Sequence, residues 1–130
     1  MEILGFHHVA IQVRDLERVA AFYTSVLELP ERARHFRPDG TLRSVWVGVP
    51  DGFLALEAVE GALEESPFRH STPGLLLVAL RIAPAARAAA LKRLAEHGVQ
   101  VVHETAWTAY FRDPEGNRIA LSHHPEVANG

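Results

Sequence analysis

The stretch FHHVAIQVRDL, residues 6–16, alternates apolar and polar side chains up to Val13 and then meets an aspartate. That is the pattern of a half-buried strand running into a helix cap. Two histidines stand at its start. The chain writes nearly the same phrase again at residues 75–85, LLLVALRIAPA, with leucines where the histidines were. HVAIQV (8–13) over LVALRI (77–82) is identical or similar at four of six positions. Further on, SVWVGVPDG (44–52) lies over TAYFRDPEG (108–116), matching Trp46 to Tyr110 and Pro50 to Pro114. Two matches in the same order in both halves predict a duplicated module.

Each first match leads into a helical pattern. Asp15 suits an N-cap, and Leu16, Val19, Ala20, Tyr23, Val26 and Leu27 recur at the spacing of an amphipathic helix. In the second half Pro84 fits a first helical turn, Ala88, Leu91, Leu94 and Ala95 form the stripe, and Gly98 supplies the stop. Three strand segments follow each helix, at 31–36, 42–48 and 53–58 and at 99–103, 107–112 and 118–122. The last two of each set are joined by VPDGF or RDPEGN, where proline at i+1 and glycine at i+3 predict type I turns. Each half therefore reads β-α-β-β-β, an α+β domain with module one at 5–59, a linker at 60–73 and module two at 74–124.

With 130 residues, 48% hydrophobic and 22% charged, the chain has the composition of one globular domain. Its longest apolar run, 74–80, is far shorter than the roughly 20 residues a membrane span needs. MEILGFHH lacks a basic n-region and a long apolar h-region, so a cytoplasmic location is expected. The absence of cysteine removes disulfides, thiolate metal sites and cysteine nucleophiles together. A net charge of −3 with scattered basic residues gives no footprint for nucleic acid.

The segments HVAIQVRDLERVAAFYTSVLEL (8–29) and YFRDPEGNRIAL (110–121), set in this frame, resemble the vicinal oxygen chelate superfamily of glyoxalases, bleomycin-resistance proteins and extradiol dioxygenases. The resemblance implies two βαβββ modules forming a cupped mixed sheet around a cavity, often as a homodimer. It also implies four metal-ligand positions, which fall here on His8, Glu57, Leu77 and Ala120. Two of the four are hydrocarbon. The internal repeat sets Leu77 opposite His8 without help from the family, and it sets Leu121 opposite Glu57; neither Ala120 nor Leu121 has a lone pair to offer.

A catalytic ion normally takes three protein ligands. His103, His123 and His124 are the candidates for completing such a set, but His103 falls at a strand end and the other two are expected in solvent beside Pro125. The expectation is therefore no bound metal and no cofactor. His8 and Glu57 have a metal-free reading as a pair that acts as general acid and base or holds a ligand. Alternation turns His8, Ala10 and Gln12 to one face, with Trp46 and Tyr110 also inward, and puts Leu77, Ala79 and Arg81 inward in the second copy. His7 is expected on the opposite face as a packing residue. Gln12, Trp46, Arg81 and Tyr110 are the candidate ligand-binding residues, Arg81 as a clamp for a carboxylate or phosphate.

Beside a non-catalytic partner protein, which stays open because fold does not fix function, two readings of the chemistry remain. One is a binding module or metal-independent enzyme for a small, partly aromatic or oxygen-rich molecule. The other is a metal-dependent lyase, isomerase or dioxygenase that borrows a third ligand. A homodimer is the only macromolecular partnership expected, with neither nucleic acid nor membrane.

Overall fold

The computed structural model describes residues 1–61, 64 and 66–127. It divides into two compact units, Met1–Glu65 and Ser66–Gly130. The boundary falls within the expected linker, of which residues 62, 63 and 65 lie outside the described residues.

The first unit runs β1 (His8–Val13), α1 (Leu16–Ala21), β2 (Glu31–Phe36), β3 (Leu42–Val49) and β4 (Gly52–Ala58). Its sheet has the order β1-β4-β3-β2, with β1 parallel to β4 and the other pairs antiparallel. Ile11, Val13, Val45, Val47, Leu54 and Leu56 alternate onto one face and are buried. Leu16, Val19 and Ala20 are the buried residues of α1, which packs on β3 and β4. Asp15 caps α1 by accepting the Arg18 amide at 3.2 Å, as its side chain predicts.

The helix does not stay α-helical to Leu27. From Phe22 to Val26 it widens into a π-helical segment, closed by the Leu27 amide donating to the Phe22 carbonyl at 3.3 Å. Thr24 contributes to this break, because its hydroxyl donates to the Ala20 carbonyl at 3.0 Å and competes for that acceptor.

The second unit repeats the plan with β5 (Val78–Arg81), α2 (Arg87–Glu96), β6 (His103–Glu104), β7 (Thr108–Arg112) and β8 (Arg118–Ser122). Its sheet order is β5-β8-β7-β6, again with the first pair parallel. The α+β class and the βαβββ repeat are thus as the sequence predicts, in two separate four-stranded mixed sheets. Pro84 opens a 3₁₀ turn that leads into α2, and Gly98 ends the helix at φ +72. There the Gly98 and Val99 amides donate back to Ala95 and Leu94.

Two details depart from expectation. Asp51 has φ +64 at the third position of the VPDG turn, which marks type II geometry; the type I assignment fails there. The second connection does keep its β-turn, with the Gly116 amide donating to the Asp113 carbonyl at 3.0 Å. Strands β5 and β6 are also shorter than predicted. The connection between β7 and β8 spans 113–117, whereas only Pro50 and Asp51 separate β3 from β4. Strand β8 starts where predicted but one position later than β4 does in the first module, and Leu75 and Leu76, before β5, are 67% and 54% exposed. Val99 gives its amide to the helix cap, so pairing on β7 begins only with the Val102 amide donating to Tyr110.

Candidate functional site

Strand pairing fixes which side chains share the face opposite α1. In β1 and β4 the partners are His8 with Phe53, Ala10 with Ala55 and Gln12 with Glu57. Strand β3 adds Gly48, Trp46 and Ser44 opposite Phe53, Ala55 and Glu57, and β2 adds Ala33 and His35. His8, Gln12, Trp46 and Glu57 therefore share one face, as alternation predicts.

Sharing a face does not bring His8 to Glu57. Four residues of extended chain separate their positions along the parallel pair, roughly 13 Å at the strand rise. The direct neighbours of Glu57 are Gln12 and Ser44, and among the described residues its carboxylate makes no hydrogen bond or ion pair.

His8 is engaged elsewhere. Its ring stacks on Phe53 at 4.9 Å with 10° between planes, and its Nδ1 lies 2.9 Å from Nδ1 of His7. His7 is exposed and meets both His8 and Phe53 edge-on, so the expectation that it packs on the opposite face is corrected. It precedes β1, and strand alternation does not govern it.

The ring row continues inward. Phe53 stacks on Trp46 at 4.4 Å and 24°, and Trp46 meets His35 at 4.6 Å. Rings stacked across neighbouring strands cover one another's faces and offer their edges to the open side. The row also holds two polar atoms that are buried without a partner among the described residues, Trp46 Nε1 and His35 Nε2. The sequence singled out neither Phe53 nor His35; Phe53 lies four residues from Glu57 on the same strand, a signal that would have found it, whereas β2 carries no candidate and only strand pairing brings His35 beside β3.

The second sheet shows what became of the repeat. Ala79 pairs with Ala120 and Arg81 with Ser122, while Tyr110 faces Ala120 and Thr108 faces Ser122. Set beside the first sheet, Ala120 corresponds to Ala55, and Glu57 corresponds to Ser122. The repeat reading that set Leu121 opposite Glu57 is therefore off by one residue. Ser122 Oγ is spent on Thr108 Oγ1 at 2.8 Å. Leu77 lies just before β5, and Arg81 is exposed at its end.

Tyr110 lies against His103 at 5.5 Å and beneath the guanidinium of Arg118, whose Cζ is 4.3 Å from the ring centroid. Arg118 was not singled out, although cross-strand neighbours of an inward aromatic are where such a cation belongs. Arg112 donates from Nη1 to the carbonyls of Phe68 and Gly116 at 2.7 and 2.8 Å. Asp113 accepts the Glu115 and Asn117 amides, the turn-forming role its place in RDPEGN predicts.

The histidines named as spare ligands part company. His124 is exposed against Trp107, but His123 is only 4% exposed, which corrects the expectation that both face solvent. Its Nε2 lies 3.2 Å from Nη1 of Arg87 and its Nδ1 contacts the Glu126 carbonyl. Guanidinium is a donor only, so Nε2 accepts and Nδ1–H donates. Both ring nitrogens are occupied, and neither is free to bind an ion. Among the described residues no three His, Asp, Glu or Cys side chains group as a metal site. The residues present do not fit the four-ligand ion that the resemblance implies.

The model of the Glyoxalase/Bleomycin resistance protein/Dioxygenase superfamily matches residues 5–121. Solved structures agree at the level of fold. A glyoxalase/dioxygenase from Nostoc punctiforme has a TM-score of 0.78 at 22% identity, over 95% of this chain and 92% of that one. A lactoylglutathione lyase from Agrobacterium tumefaciens has 0.71 at 19%, over 95% and 96%. The fosfomycin resistance protein FosX from Mesorhizobium loti has 0.69 at 21%, over 93% and 92%. No curated protein matches significantly. No helix among the described residues is long and apolar enough to cross a membrane.

Proposed function

The chain belongs to the Glyoxalase/Bleomycin resistance protein/Dioxygenase superfamily, and on that premise we propose that it binds a small, partly aromatic and oxygen-bearing molecule on the open sheet faces without a metal ion fixed by the chain. One observation carries the metal-independent part: Glu57 pairs with Gln12, four residues from the Phe53 that faces His8. An ion on His8 is out of reach of Glu57. The positions that strand pairing places beside it are Phe53, Ala10 and Ala55, none of which is a ligand, and His7 adds only a second nitrogen, one short of the three a catalytic ion takes.

The ring row favours the aromatic part of the reading. Phe53, stacked on His8 and on Trp46, has its faces covered and keeps its electropositive edge for the π-face or the oxygen atoms of a ligand. Glu57 and Gln12, side by side, can accept from a ligand hydroxyl or amide and donate to its carbonyl. In this reading Glu57 and His8 act on different parts of the bound molecule.

Two measurements test it. Elemental analysis of protein purified without chelator is expected to find no stoichiometric nickel, zinc, iron or manganese. Such a metal, lost in His8→Ala, would establish the metal-dependent lyase, isomerase or dioxygenase instead. Thermal-shift screening with small aromatic and polyoxygenated compounds is expected to find a stabiliser; at a hundred times its dissociation constant it adds about 2.7 kcal/mol. A flat screen overturns the reading.

A further inference from the structure

Arg112 and Arg118 stand directly opposite each other in the antiparallel β7–β8 pair, one step from the pair Tyr110–Ala120 on the same face. Two like charges in that relation repel at a side-chain spacing of about 5 Å. Their roles differ. Arg112 is tied by two carbonyls to the chain around Phe68, which is itself held by the Phe68 amide donating to Gly116 at 3.0 Å. Arg118 lies over Tyr110 at 4.3 Å and near Phe68 at 5.6 Å, and among the described residues it makes no hydrogen bond or ion pair. Its side chain is only half exposed, so water alone serves its five N–H donors incompletely.

The duplication sharpens the point. Matching the two sheets through Trp46 and Tyr110 puts Arg118 at the place of Phe53 and Leu77 at the place of His8. The corner that holds an imidazole in the first module holds a guanidinium in the second. In both modules a guanidinium also adjoins that corner: Arg112 occupies the place of Gly48, and in the first module Arg32 lies over bare Gly48, where a Cβ would collide with its Nε. A corner built this way disfavours a cation and suits an anion.

We propose that the open face of the second sheet is an oxyanion site, in which Arg118, braced on Tyr110 and Phe68, takes the carboxylate, phosphate or phosphonate of the ligand while Arg112 adds a fixed positive charge. The guanidinium fork matches the geometry of such groups. The inference rests on the small-molecule reading above for its ligand, and it assigns that ligand a charge and replaces Arg81 with Arg118 as the clamp.

The test titrates inorganic phosphate and, separately, benzoate against thermal stability at constant ionic strength, with chloride as the reference anion. Saturable stabilisation of the wild type is expected with at least one probe. Arg118→Gln weakens its dissociation constant roughly 10- to 100-fold, the worth of one charged hydrogen-bonding group. Arg118→Lys, which keeps charge without the fork, falls between. Lys92→Gln, an equal loss of charge on exposed α2, leaves it unchanged. The chloride midpoint of each variant reports whether it still folds, and Arg118→Lys keeps the test open if Arg118→Gln does not. Equal weakening in Arg118→Gln and Lys92→Gln would overturn the site as non-specific attraction. If a screened compound binds wild type and Arg118→Gln equally, the anion site alone has failed; if neither probes nor compounds bind, the small-molecule reading has failed with it.

Discussion

Glu57 stands opposite Gln12 in the parallel β1–β4 pair, while His8 stands opposite Phe53. Two ionisable side chains on one face invite the idea of a catalytic pair, but pairing register decides who meets whom. With roughly 13 Å of strand between them, His8 and Glu57 are independent sites. The stability costs of His8→Ala and Glu57→Ala should therefore add in the double variant to within about 0.5 kcal/mol, measured by urea unfolding. A coupling energy above about 1 kcal/mol would mean that the two side chains meet.

The ring row makes a sharper demand on Phe53. It touches His8 on one side and Trp46 on the other. Phe53→Leu keeps much of the apolar volume but removes both ring pairs, each worth about 0.5–1.5 kcal/mol. A loss of about 1–2 kcal/mol is expected, together with a change in Trp46 fluorescence. An unchanged spectrum would show that the two rings are not stacked in solution.

How far the sequence reached depends on whether a feature is local. Alternation along a strand is local, and it correctly put His8, Gln12 and Trp46 on the sheet face opposite α1 and Tyr110 on the face opposite buried Ala109 and Phe111; β2 and β8 also fall where their composition puts them. Register between strands is not local. The lengths of the connections 50–51 and 113–117 set where β4 and β8 begin, so the repeat alignment missed by one residue and set Glu57 over Leu121 in place of Ser122. Burial of His123 was illegible for the same reason, since its partner Arg87 comes from α2, 36 residues earlier. The π-helical segment at Phe22–Val26 rests on a competition for one carbonyl that apolar periodicity does not register.

His123 and Arg87 supply a test of that buried contact. Arg87 also donates from Nη2 to Glu104 Oε1 at 2.9 Å and to the Thr105 carbonyl at 3.0 Å, so one guanidinium joins α2, β6 and the residues after β8. Removing either partner leaves polar atoms unsatisfied in a largely buried place. His123→Ala and Arg87→Ala should each cost about 1–3 kcal/mol. Because they share a contact, the double variant should cost less than their sum by about 0.5 kcal/mol or more, to the order that neighbouring sites couple. Strict additivity in urea unfolding would show that the contact does not form.

Gly116 separates backbone strain from crowding. Its φ of +83 disfavours any side chain, and a Cβ there would also fall 2.5 Å from Cβ and 3.1 Å from Cα of Pro67. Gly40 offers the comparison, with φ +87 and open space for 4 Å around the place a Cβ would take. Gly40→Ala should cost about 1 kcal/mol, the strain alone. Gly116→Ala should cost about 2–4 kcal/mol, because the ring of Pro67 and the chain leading to Phe68 must shift as well. That shift would displace Phe68 from Arg118, so Gly116→Ala should also weaken phosphate binding in the titration above while Gly40→Ala leaves it intact. Equal costs for the two glycines would place Pro67 away from the turn and remove the support of Phe68 from the anion site.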